Sequence, residues 1–279
     1  MAGTLFVVAT PIGNLEDLSF RALRTLREVD IIAAEDTRRT AKLLARYEVR
    51  KPLLSLREHN EARETPRLLS RLSEGTSIAL VSDAGTPGIS DPGARLVRAA
   101  REAGVPVVPI PGPSAITTAL SVSGVSADAF VFLGFPPSSG PPRVGWLARL
   151  ATEDRTVVFF ESPHRIARTV RDVLEVKQPI IIHRELTKIH EDFVICTNNA
   201  TCQLPSGKGE FTVVVPCLGV QKESVDFEAI YKLFSKLVEG QALSESEAAD
   251  LVSKAHGVTV SEVLKFIKKA KISIKRPNT

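Results

Sequence analysis

Residues 82–93, SDAGTPGISDPG, place three glycines, two prolines and two aspartates between an apolar run at 78–81 and the helical pattern ARLVRAAREAG. The run reads as a buried strand, so the stretch is a strand-to-helix connection almost free of bulky side chains. Gly85, Gly88 and Gly93 allow backbone to approach a ligand without an intervening Cβ. Asp91 followed by Pro92 has the form of an N-cap and a first helical residue, which leaves 83–90 as the loop. In open α/β sheets, loops at the carboxyl ends of strands hold ligands. The same loop would also serve as a plain tight connection, so its meaning depends on context.

That context repeats along the first half. Residues 5–9 form a strand pattern broken by Pro11 and Gly13, and Asp17 or Ser19 is placed to cap a helix bearing Leu23, Leu26 and Val29 on one face. A second strand at 31–34 ends in Glu35-Asp36-Thr37-Arg38-Arg39, where Asp36 or Thr37 caps a helix reaching about Tyr47. A short strand at 53–56, a helix at 61–74 and a strand at 106–110 follow, the last running into Pro-Gly-Pro-Ser-Ala at 111–115. Ser114 is a plausible N-cap there, and free N–H groups at such a helix start accept carboxylates or hydroxyls. Alternating strands and helices predict a mostly parallel sheet covered on both faces. No GxGxxG follows the first strand and no GxxxxGK[ST] occurs, which disfavours a dinucleotide or P-loop site. His59 has no partner visible in the sequence.

Composition shifts at 134–145, GFPPSSGPPRVG, where the proline and glycine density predicts a linker or lid without regular structure. Arg143 and Trp146 nearby suit a nucleic-acid contact. Beyond lies a second α/β region. A strand at 156–160 ends in Glu161-Ser162-Pro163-His164-Arg165, and one at 179–183 ends in Arg184-Glu185-Leu186-Thr187-Lys188. Strands near 193–196 and 211–216 give its end more antiparallel character. The charged clusters either converge on one catalytic rim or form an ion-pair network, and the sequence leaves both open.

From 226 onward the period is helical. Ser244 and Glu247 form a capping box, Gly240 and Gly257 sit at helix ends, and a short loop joins the last two helices as in a helix-turn-helix. Six Lys or Arg fall between Lys265 and Arg276, including Lys268 and Lys269. That run is either a solubilising tail or a phosphate contact.

The 279 residues suffice for two domains of ordinary size, and 43% apolar residues suffice for their cores, built mostly from aliphatic side chains since aromatics are 5%. A net charge of +4 permits an anionic partner without requiring one. Cys196, Cys202 and Cys217 show no CxxC pair, which argues against zinc and against a disulfide framework. With no signal segment, they suggest a reducing cytosol. No apolar run is long enough to span a membrane.

Six segments together carry a resemblance: TPIGNLEDLSFRAL (10–23), AAEDTRRT (33–40), LVSDAGTPGISDPG (80–93), PIPGPSA (109–115), ESPHR (161–165) and RELTK (184–188). In them the chain resembles the ribosomal RNA small subunit methyltransferase I family of the tetrapyrrole-methylase-like fold group. HGVTVSEVLKFI at 256–267 is similar to that family's small C-terminal helical domain. The resemblance implies an α/β domain at 1–116, a second at 117–220 with the cofactor cleft between them, and a basic helical domain at 221–279. It implies a cytoplasmic homodimer, not bound to a membrane, that uses S-adenosylmethionine to methylate the ribose 2′-hydroxyl of a cytidine in the decoding region of 16S rRNA, with the assembled 30S subunit as the expected partner. No metal ligands are read from the sequence, which leaves open whether a metal assists.

Carried onto this chain, the cofactor residues are Pro11, Asp83, Ala84, Gly85, Thr86, Ser114 and Ala115. Candidate catalytic residues are Glu185, Lys188, Glu161 and Arg184, with Glu185 and Lys188 expected nearest the acceptor. Candidate RNA contacts are Arg38, Arg143, Lys265, Lys268 and Lys269. The chain is shorter than the family pattern over 192–208. Two rival functions share the fold: methylation of a small tetrapyrrole, which the basic tail disfavours, and a non-catalytic ligand-binding or ribosome-associated module.

Overall fold

The computed structural model describes residues 2–204, 208–217, 227–240, 244–256 and 260–274. Its first sheet contains β1 (Leu5–Val8), β2 (Ile31–Ala34), β3 (Leu53–Ser55), β4 (Ile78–Val81) and β5 (Val107–Ile110), in the order β3-β2-β4-β1-β5. Every pairing in it is parallel. β2 and β4 are continuous apolar runs buried at all four positions, as strands covered on both faces should be. On one face α1 (Phe20–Glu28) and α2 (Thr37–Arg46) cover a core around Val8, Leu26, Ile32 and Leu44. On the other, α3 (Glu61–Ser73) and α4 (Ala94–Glu102) cover Leu5, Leu68, Ile78 and Leu96. Ser19 accepts from Ala22 N and Asp36 from Arg38 N, settling which residues cap α1 and α2.

α4 begins later than the sequence predicts. Its cap position is Gly93, at φ 127°, and not Asp91. A Cβ on Gly93 would lie 2.7 Å from Leu80 Cδ2. The capping carboxylate comes from another helix: Glu61 Oε1 accepts from both Gly93 N and Arg95 N at 3.0 Å. Asp91 is thereby released from capping.

After α5 (Ala115–Val122) the second sheet contains β6 (Phe130–Phe132), β7 (Thr156–Glu161), β8 (Ile180–Arg184), β9 (Asp192–Cys196) and β10 (Phe211–Val215), in the order β6-β7-β10-β8-β9. Only β6 and β7 run parallel. α6 (Gly140–Thr152) and α7 (Ile166–Val176) pack on one face, around Trp146, Phe159 and Val170. The opposite face joins Val158, Ile181 and Val214 to Ile116 and Leu120 of α5, and to Ile12 from the loop after β1. This shared cluster welds the two sheets, and Met1–Cys217 forms one compact unit.

Two expectations fail in the second half. The segment 134–145 is not wholly irregular: α6 starts at Gly140, with prolines in the first turn, where their missing N–H groups cost nothing. Cys196 and Cys202 form a disulfide across a Cα–Cα distance of 4.8 Å. The intervening turn, in which Thr201 N donates to Asn198 Oδ1 at 2.9 Å, folds the chain back in a way that cysteine spacing does not reveal.

Leu218–Thr279 forms a second compact unit. Its helices α8 (Phe227–Gly240), α9 (Glu245–His256) and α10 (Val260–Ile274) bury Ile230, Phe234, Val252, Val263 and Ile267 together. The capping box is present: Ser244 N donates to Glu247 Oε2 at 3.0 Å and Glu247 N to Ser244 Oγ at 3.3 Å. Gly257, the turn between α9 and α10, and Lys275 and Arg276 lie outside the described residues. Among the described residues no helix is long and apolar enough to cross a membrane.

Candidate active site

A cavity of about 350 Å³ opens where the carboxyl edge of the first sheet meets the second. Its first wall is the loop after β4, through Ala84, Gly85, Thr86, Ser90 and Asp91, together with Ser114 and Ala115 at the start of α5. The opposing wall is Phe160 to Pro163 at the end of β7, Leu186 after β8, and Glu210 to Thr212 at the start of β10.

Backbone contacts hold the first wall in shape. Thr10 and Gly85 exchange two hydrogen bonds, each 2.9 Å, and the Thr86 hydroxyl donates to Pro113 O at 3.4 Å. Gly85 stands at φ 76°, where a side chain is strained, and a Cβ there would already touch Ile12 Cγ2 at 3.4 Å. Ser114 occupies the N-cap of α5, but its hydroxyl makes no capping bond, which leaves it and the first-turn N–H groups for a ligand. Apolar walls with few polar groups, in a volume within the usual range of roughly 300–1,000 Å³, suit a small organic ligand.

Asp91 is the charged group of this wall. Burial, then the nearby Glu35 and Asp83, push its carboxyl up to about 6. Burial likewise raises Glu35, whose carboxylate accepts from Asp83 N at 3.3 Å. Asp83 faces away from the cavity lining: it accepts from Asp36 N at 2.8 Å and pairs with Arg39 at 3.4 Å. A buried acid already crowded by two others is electrostatically prepared for a cation.

Of the sequence-predicted cofactor residues, Ala84, Gly85, Thr86, Ser114 and Ala115 line the cavity, whereas Pro11 and Asp83 do not. Pro11 precedes Ile12, which does. Asp91 and Glu210 were not singled out as site residues by sequence reasoning. In the sequence Asp91 has the form of a helix cap, and no motif marks the Glu61 side chain that replaces it.

The candidate catalytic residues separate into three situations. Glu161 lines the cavity, but its fully buried carboxylate is taken by Arg165 at 2.8 Å, the Thr169 hydroxyl at 2.6 Å and Ser162 N at 2.7 Å. It fixes the end of β7 and has no oxygen left free of protein partners at short range. Lys188 Nζ bonds Glu185 Oε1 at 2.8 Å and Glu210 Oε2 at 3.1 Å. Only Glu210 of these three lines the cavity. Burial would raise the Glu185 carboxyl, but the Lys188 bond and the Glu210 amide outweigh it and hold it below the usual range. Burial opposes the Lys188 charge, yet its two carboxylate partners raise its pKa, so the lysine is a cation at neutral pH. Arg184 donates to Lys208 O at 2.7 Å and does not line the cavity.

The loop that carries Glu185 and Lys188 is itself a clasp. Glu185 and Thr187 both adopt positive φ, 54° and 66°, a costly conformation that surrounding contacts must maintain. Thr187 Oγ1 accepts from Asn14 N at 3.0 Å, and a Cβ on Gly13 would come within 2.5 Å of Lys188 Cγ. The second sheet thus reaches across to the loop after β1, with Leu186 between them in the cavity wall.

Of the candidate RNA contacts, Arg143 is a correction. Its side chain is 4% exposed and bonds Asp172 at 2.6 Å, the Thr169 hydroxyl at 3.1 Å and Pro137 O at 3.0 Å. Trp146 is buried beside it, edge-on to Phe159. Neither is available to a nucleic acid. Arg38 is exposed and forked onto Asp36. Lys265 and Lys268 are exposed on α10, and the Lys269 side chain lies outside the described residues.

Residues 4–200 match the family model of the tetrapyrrole (corrin/porphyrin) methylases. Among curated proteins, the chain is 41% identical over 266 residues to the ribosomal RNA small subunit methyltransferase I of Pasteurella multocida, covering 92% of this chain and 94% of that one. The protein of that name in Xylella fastidiosa is 46% identical over 266 residues, covering 91% and 95%. Among solved structures, a diphthine synthase superposes with TM-score 0.62 at 17% identity, covering 77% of this chain and 90% of its own. A uroporphyrin-III C-methyltransferase from Thermus thermophilus complexed with S-adenyl homocysteine does so with TM-score 0.55 at 17% identity, covering 78% and 100%. At that identity the two structures speak to the fold.

Proposed function

Since this chain belongs to the tetrapyrrole methylases, and within them to the ribosomal RNA small subunit methyltransferase I family, we propose that it methylates the ribose 2′-hydroxyl of a cytidine in the decoding region of 16S rRNA. It is an S-adenosylmethionine-dependent rRNA methyltransferase. We assign the cofactor to the wall formed by Ala84, Gly85, Thr86, Ser114, Ala115 and Asp91. The assembled 30S particle as substrate, a homodimeric state, a cytoplasmic setting and domain limits at 116 and 220 belong to the same proposal.

The observation that carries the reading is the opposition of two unlike walls across one cavity. The cofactor supplies a methyl group on a cationic sulfonium, which leaves as a neutral thioether. Ser114 and the backbone around Gly85 offer hydrogen bonds to its polar parts, while Asp91 offers the counter-charge. The apolar side chains of Ile12, Phe160 and Leu186 exclude water, and positioning in such a cleft supplies much of the acceleration.

A ribose hydroxyl must also lose a proton. Beside the caged Glu161, Glu210 is the carboxylate at the cavity wall on the acceptor side, and Lys188 holds it. Lys188, as a cation, is unsuited to accept the proton and is suited to hold Glu210 and a neighbouring phosphate. Glu185, Arg184 and Glu161 then position this wall without receiving the proton. The test is transfer of labelled methyl to unmodified small subunits, with the modified nucleotide mapped. Glu210→Gln should lower kcat at least tenfold while calorimetric affinity for S-adenosylmethionine stays within twofold. Full turnover in that variant removes Glu210 from the mechanism.

A further inference from the structure

The outer faces of α1 and α2 carry charge that the cavity does not use. The two helices hold seven Lys or Arg against one carboxylate, Glu28, while the whole chain nets only +4. Burial of Ala22, Thr25 and Leu26 turns Phe20, Arg24 and Arg27 outward on a stripe at i, i+4, i+7. Burial of Thr40, Leu43 and Leu44 does the same for Arg38, Lys42 and Arg46 on α2. The helices are neighbours: both pack on one core cluster, and Arg27 donates to Tyr47 O, at the end of α2, at 3.3 Å.

Among the described residues, ion pairs neutralise part of the charge on other helices, though not that of Arg95, Arg98 and Arg101 on α4. Glu64 pairs with both Arg63 and Arg67 on α3, and Asp172 with Arg143 and Arg168. Arg24, Arg27, Lys42 and Arg46 have no ion pair among the described residues. Beside these cations Phe20 stands 93% exposed. Cations flanking an exposed ring are how unpaired RNA is held: phosphates on the charges and a splayed base on the ring.

The face lies next to the loop that carries the cavity wall. α2 begins at Asp36 and Arg39, both bonded to Asp83, the residue before Ala84 in the cavity wall. At the start of α1, Arg21 donates to Pro109 O, ahead of the turn that presents Ser114. A strand of nucleic acid that leaves the cavity past this loop meets α1 and α2 next.

We propose that the α1–α2 face is the docking surface for the substrate RNA, with its backbone along Arg24, Lys42 and Arg46 and an unstacked base on Phe20. This rests on the rRNA-methylation reading and adds the place where the RNA lies. The test compares three full-length variants on small ribosomal subunits: Arg24→Ala/Lys42→Ala/Arg46→Ala, Phe20→Ala, and Arg63→Ala/Arg67→Ala/Arg71→Ala, which removes equal charge from α3. The first should raise KM about tenfold and lower the slope of log affinity against log salt by about two, since each phosphate contact contributes about 0.7–0.9. Phe20→Ala should raise KM about threefold with the slope unchanged. The α3 variant should stay within twofold of wild type, and in all three kcat and calorimetric S-adenosylmethionine affinity should be unchanged. Unaltered KM and slope in the first variant, or an equal loss in the α3 variant, overturns the proposal. Filter retention of wild-type protein on the subunits separates the two levels. Retention sensitive to the first variant but without methylation strikes the enzymatic reading and leaves the surface standing, whereas no retention overturns the surface.

Discussion

The two walls of the cavity are built by opposite means. The wall from the first sheet is mostly backbone: the Thr10–Gly85 pair, the Pro113 carbonyl and the open first turn of α5 place its hydrogen-bonding groups. The wall from the second sheet is mostly side chains: Glu161 in a cage of donors, and Glu210 held from behind by Lys188 on a loop at positive φ. Backbone placement suits a cofactor that is the same in every turnover. Side-chain placement suits an acceptor whose proton must move, because carboxylates and ammonium groups can exchange protons. On the proposed function the first wall is the donor side and the second the acceptor side, and substitutions on each should fail differently.

The largest effect belongs to Glu161→Ala. It strands Arg165, Thr169 and the Ser162 amide in a buried site, so unfolding stability should fall by about 3 kcal/mol in denaturant titration. A loss of under 1 kcal/mol would mean that the cage does not hold the wall. Next is Gly85→Val, which adds strain at φ 76° and crowds Ile12. It should weaken S-adenosylmethionine binding about thirtyfold, about 2 kcal/mol, with little loss of secondary structure by circular dichroism. Lys188→Met, on the opposite wall, should lower kcat about tenfold and leave cofactor affinity within twofold. A variant that loses affinity and keeps turnover would reverse the assignment of the walls.

The smallest effect is the most diagnostic in pH. The Asp91 carboxyl is raised to about 6 from an ordinary 3.8, so its charged form is disfavoured in the folded protein. Wild-type stability relative to Asp91→Asn is therefore undiminished below about pH 4, falls as pH rises towards 6, and stays lower above it. Thermal melts should show Asp91→Asn gaining on the order of 1 kcal/mol between pH 4 and pH 7. A difference independent of pH would show that the carboxyl is not raised. A cationic cofactor draws out the same proton, so affinity should fall below about pH 6 in wild type and stay flatter in the variant.

Much of this was legible in the sequence where structure is local. Continuous apolar runs ending in polar loops gave five parallel strands, and the small-residue stretches at 82–93 and 111–115 both reach the cavity through Ala84 to Thr86 and Ser114. Caps read from neighbouring residues, Ser19, Asp36 and the Ser244–Glu247 box, are in place. What stayed hidden depends on partners far along the chain. Asp91 looked like a cap because its substitute, Glu61, belongs to another helix. Arg143 looked like a surface cation because Asp172 lies 29 residues away. The clasp between Asn14 and Thr187 spans 173 residues, and only the fold reveals why Gly13 must lack a side chain. Prolines at 141 and 142 suggested an irregular segment, though they are compatible with a helix's first turn.

The most direct measurement is titration calorimetry of S-adenosylmethionine into wild-type protein, Gly85→Val and Lys188→Met side by side. The two-wall account predicts one site per chain in wild type, nearly unchanged binding in Lys188→Met, and heat lost or shifted about thirtyfold in Gly85→Val. Wild-type affinity retained in Gly85→Val, or binding abolished by Lys188→Met alone, would contradict it.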